Sequence, residues 1–61
     1  MTMMEAVARV KAARANARRF AESLQRETDP TTRAYLRHLA VSWAKIADDQ
    51  EFAMEMQQRA S

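Results

Sequence analysis

The chain contains no glycine and no cysteine, and Pro30 is its only proline. Without glycine there is no phosphate-cradling loop and no dinucleotide fingerprint, since both need a backbone without a Cβ at the ligand. Without cysteine no disulfide can reinforce a small core and no thiolate metal site can form. This usage fits a reducing compartment, and a cytoplasmic location is expected. Long apolar runs are missing too: none approaches the roughly 20 residues that span a bilayer, so no membrane partner is expected. Aromatic residues are 7% of the chain, and none interleaves with the cations from Arg9 to Arg19. No nucleophile–base set is present, so the chain is read as not an enzyme, with no cofactor and no metal.

What remains is 61 residues rich in alanine and charge, with 48% hydrophobic and 30% charged residues and a formal charge of +2. A chain this short makes one domain whose core is marginal. The opening segment, "MTMMEAVARVKAARANARRFAESLQ", is basic, alanine-rich and amphipathic, which superficially suggests a transit peptide. Glu5 and Glu22 interrupt that pattern, and the segment must supply half of any fold, so it is read as structural. Met3, Val10, Ala17 and Leu24 fall seven apart, with Ala6, Ala13 and Phe20 between them. This is a helical period. The second half repeats it, with Leu36, Trp43 and Gln50 in one series and Leu39, Ile46 and Ala53 in the other.

Between the halves lies "RETDPTTR". Asp29 is a good N-cap and Pro30 suits the first helical position, where its missing N–H would lack a partner anyway. The expected fold class is therefore all-α: a two-helix antiparallel hairpin over residues 1–61. Helix 1 is expected at about residues 3–27, the turn at 28–29, and helix 2 at about 30–58. Such helices are on the order of 40 Å long and share one narrow seam. Met3, Val7, Val10, Phe20, Leu24, Leu36, Leu39, Trp43 and Ile46 are the large residues expected there. A lone hairpin looks marginal, so assembly into a four-helix bundle or larger helical oligomer is expected, or docking on another protein.

Three sets of residues are candidates for contact. Val41, Phe52 and Met56 cluster on the side of helix 2 opposite the seam, and are expected as a partner interface. The methionines gather at the open end of an antiparallel hairpin: Met1, Met3 and Met4 from one terminus, Met54 and Met56 from the other. Lys11, Arg14 and Arg18 form a basic stripe that suits a phosphate backbone, so nucleic-acid binding is the alternative to a protein partner. Arg33 and Arg37 would extend it, whereas Arg9 is expected level with Asp48 and Asp49. His38 has no carboxylate three or four residues away and is read as a surface residue. Asp48, Glu51 and Glu55 share a face, read as solvated or ion-paired.

The stretch "DPTTRAYLRHLAVSWAKIADDQE" resembles small uncharacterised bacterial helical-hairpin proteins. The resemblance rests on Asp29, Pro30, Arg33, Leu36, Leu39, Ala40, Trp43, Ile46 and Ala47 and covers about half the chain. It implies a stand-alone hairpin in a bacterial cytosol and brings no activity or functional residue with it. The expected function is a non-enzymatic helical interaction or structural module.

Overall fold

The structure, a computed structural model, describes residues 2–60. Two α-helices, α1 (Met3–Arg26) and α2 (Pro30–Ala60), pack against each other, and the described residues contain no strand. The Glu27–Asp29 connection returns α2 along α1.

Local chemistry sets each boundary. At the start of α1 the Glu5 amide donates to Thr2 Oγ1 at 3.1 Å, and the Thr2 amide reaches Glu5 Oε1 at 3.4 Å. This capping box satisfies donors that the first turn leaves without partners. At the other end Glu27 leaves the helical region, with φ −83° and ψ 133°. Its carboxylate turns back to accept from the Thr28 and Asp29 amides at 3.1 and 3.0 Å. Asp29 then caps α2, accepting from the Thr32 amide and hydroxyl at 2.9 Å each. The helix starts at Pro30, as the Asp-Pro step predicts. It runs to Ala60, two residues past the expected end, and α1 stops one residue short of Glu27.

Arg33 adds a bond that spacing did not reveal. Its guanidinium Nη1 donates to the Leu24 and Glu27 carbonyl oxygens, at 2.7 Å each. The last carbonyls of a helix have no partner within it. A side chain of α2 therefore closes the C-terminus of α1, and a cation there also suits the helix dipole.

The seam differs from the expected one. Its buried residues are Ala6, Val10, Ala13 and Ala47, with Trp43 and Met54 packed against the last three. Met3, Val7 and Ile46, expected inside, are 41%, 44% and 49% exposed. A seven-residue series drifts by about 20° per repeat around a straight helix, so its members cannot all stay on the contact line. Alanine lets the helices approach closely, which leaves the larger side chains on the shoulders. Phe20, Leu24, Leu36 and Leu39 are accordingly half-buried.

Candidate interaction surfaces

The hairpin is a rod of 48 × 15 × 14 Å whose helices contribute different side chains to each flank. One flank is charged. Arg14 projects from α1 beside the buried Ala13, and its Nη2 donates to Asp48 Oδ1 of α2 at 3.2 Å. The same nitrogen pairs with Glu51 Oε1. Arg14, not Arg9, is thus the cation that meets the acidic cluster. Both ends of the pair are substantially exposed, so it fixes register more than it adds stability.

This pairing divides the basic stripe. Lys11, Arg14 and Arg18 do line one shallow depression with Ala15, as their spacing requires. Two carboxylates offset the charge of Arg14, however, and Arg33 is occupied with the turn. Asp48, Glu51 and Glu55 border a second open depression with Phe52. Among the described residues no group of three or more His, Cys, Asp or Glu side chains is arranged to hold a metal ion. His38 is exposed.

Val41, Phe52 and Met56 are 63%, 64% and 47% exposed. The spacings of 11 and 15 residues from Val41 keep all three within about 60° of one another around α2. Val41 lies more than three turns from Phe52, so the stripe is interrupted by polar positions. At the open end, Met3, Val7 and Met54 line a common depression with Glu51, Glu55 and Gln58. That brings methionines of both chain ends together. Met4 points away and is 84% exposed, and Met1 lies outside the described residues.

Sequence reasoning missed a further exposed group, formed by Tyr35 at 61% and Ile46 at 49%, with half-buried Leu39 between them. These sit four and seven residues apart on one side of α2. The seven-residue spacing of Leu39 and Ile46 points to the seam, which conceals that they share a side of α2 with Tyr35.

Among the described residues no helix is long and apolar enough to cross a membrane. Comparison with family models, with curated proteins and with solved structures finds no significant match to this chain.

Proposed function

We propose that this hairpin is a non-enzymatic interaction module that works by packing against other helices, either in further copies of itself or in a partner protein. The observation that carries this reading is the inversion of its apolar residues. Among the described residues three of the four buried side chains are alanines, while Phe52, Val41, Tyr35, Ile46 and Met56 lie outside. Large apolar groups at helical spacing on a surface are the usual mark of an interface. Val41, Phe52 and Met56 are the proposed partner interface.

Sedimentation at micromolar concentration tests the reading. The wild-type chain is expected to sediment as an assembly. Phe52→Asp with Met56→Asp is expected to shrink it where the stripe joins copies, and to leave it intact where the stripe meets a different protein. A well-folded wild-type monomer overturns self-association and leaves docking on another protein.

The alternative is a basic accessory protein that contacts nucleic acid through Lys11, Arg14 and Arg18. Its support is the shared depression these three side chains line. Because Arg14 is held by Asp48 and Glu51, Lys11→Glu with Arg18→Glu is the cleaner test. A salt-sensitive shift of DNA or RNA that these two substitutions abolish would favour this reading over the first.

A further inference from the structure

The two halves of α2 carry opposite charge. From Pro30 to Ala47 it has three cations, Arg33, Arg37 and Lys45, and no acid. From Asp48 to Ala60 it has four acids, Asp48, Asp49, Glu51 and Glu55, and one cation, Arg59. Arg14 answers two of those acids within the hairpin. Lys45, Asp49 and Glu55 form no ion pair with any described residue. A helix divided in this way repels a parallel copy of itself and attracts an antiparallel one, because its basic half then faces an acidic half.

The exposed residues of α2 agree with that direction. Val41, Lys45, Asp48 and Phe52 follow one another at intervals of four, three and four residues, and His38 and Glu55 extend the row by three at either end. This is the spacing of a coiled-coil seam. All six side chains are exposed. Ala47 faces α1, and the row lies between about 80° and 180° around α2 from it, so a helix laid along the row leaves α1 on the outside.

Two antiparallel helices run in opposite order, so fixing one level fixes the rest. With Lys45 of one copy level with Asp48 of the other, Val41 falls level with Phe52, and His38 with Glu55. Each pair occurs twice, once on either side of a two-fold axis that crosses α2 between Ile46 and Ala47. Lys45 then lies against both Asp48 and Asp49, and His38 against Glu55 and Met56. The polar positions that interrupt the Val41–Phe52–Met56 stripe thus match across the axis, as Val41 and Phe52 do. None of these pairs sets like charge against like.

We infer that a second copy of this chain docks antiparallel along the exposed side of α2, with Lys45 of each copy against Asp48 and Asp49 of the other and Val41 against Phe52. This rests on the self-association half of the proposed function and gives it an orientation and a register.

Charge reversal tests the register. Lys45 and Asp49 are exposed, and glutamate and lysine are good helix formers, so the hairpin tolerates Lys45→Glu and Asp49→Lys. In sedimentation equilibrium the wild type is expected to be a dimer at micromolar concentration. Each substitution alone is expected to weaken dimerisation at least tenfold, with helical circular dichroism retained. Mixing the two variants is expected to restore the dimer, because each cation at these positions then faces an acid. Phe52→Asp with Met56→Asp is expected to dissociate it as well. If both charge reversals dimerise like the wild type while the Phe52/Met56 variant does not, the stripe joins copies in another register and the antiparallel assignment is overturned. A dimer that all three variants retain overturns this face as the contact between copies. A monomeric wild type overturns self-association itself, in any register.

Discussion

Arg33 sits one turn into α2, yet its guanidinium terminates α1 by holding the Leu24 and Glu27 carbonyls. Two bonds from a charged donor at a part-buried site make it the turn's most consequential side chain. Arg33→Ala is expected to lower unfolding free energy by about 2 kcal/mol, read by urea denaturation, because both carbonyls lose a charge-assisted partner. Asp29 contributes differently. Hydrogen bonds from the Thr32 amide and then the Thr32 hydroxyl hold its carboxyl below the ordinary value of 3.8. A depressed folded-state pKa gives stabilisation that is present above the unfolded value and is lost as pH falls through the folded one. Acidification below about pH 4 is therefore expected to lower the wild-type Tm more steeply than that of Asp29→Asn, which keeps a capping oxygen but does not titrate. Asp29→Ala is expected to lower Tm at neutral pH as well.

At the scale of the helices, alanine decides how they pack. Ala13 and Ala47 touch the other helix with no space for a longer side chain, and their exposures of 1% and 0% are the lowest of the core. Ala47→Leu is expected to cost about 1–3 kcal/mol in thermal or urea unfolding, since the helices must separate or the leucine must strain. The same substitution at Ala34, exposed near the start of α2, is expected to stay within about 0.5 kcal/mol. This contrast separates close packing from helix propensity, because both sites exchange one good helix former for another. Close approach also explains why eight of the nine large residues expected in the seam, all but the buried Val10, divide between its edges and the surface.

For the whole molecule, the consequence is a thin rod. Two helices sharing one line of contact cover about one face each, and a shape of 48 × 15 × 14 Å has a large surface for its mass. Its depressions are shallow and bordered by charged or flexible side chains, which suits contact with another surface. The two sides of α2 differ in character: Asp48 and Glu51 pair with Arg14 on one, while Ile46, Leu39 and Tyr35 lie on the other.

The sequence by itself determined the two helices, their turn and the direction of return. Each depends on contacts a few residues apart: Asp29 with Thr32 at the cap, Pro30 at the first helical position, and helical periodicity without a glycine to interrupt it. Val41, Phe52 and Met56 were also legible as exposed, because a hairpin can cover only one side of α2. Only the tertiary structure decided which members of the apolar stripes lie on the contact line. Ile46 lies about 100° around α2 from Ala47 and Val7 about 120° around α1 from Ala13, and apolar stripes this broad leave the facing line undecided until the helices pack. The partners of Arg14 and Arg33 depended on the same facing line and on interhelical register, since their charges meet groups 34 and nine residues away.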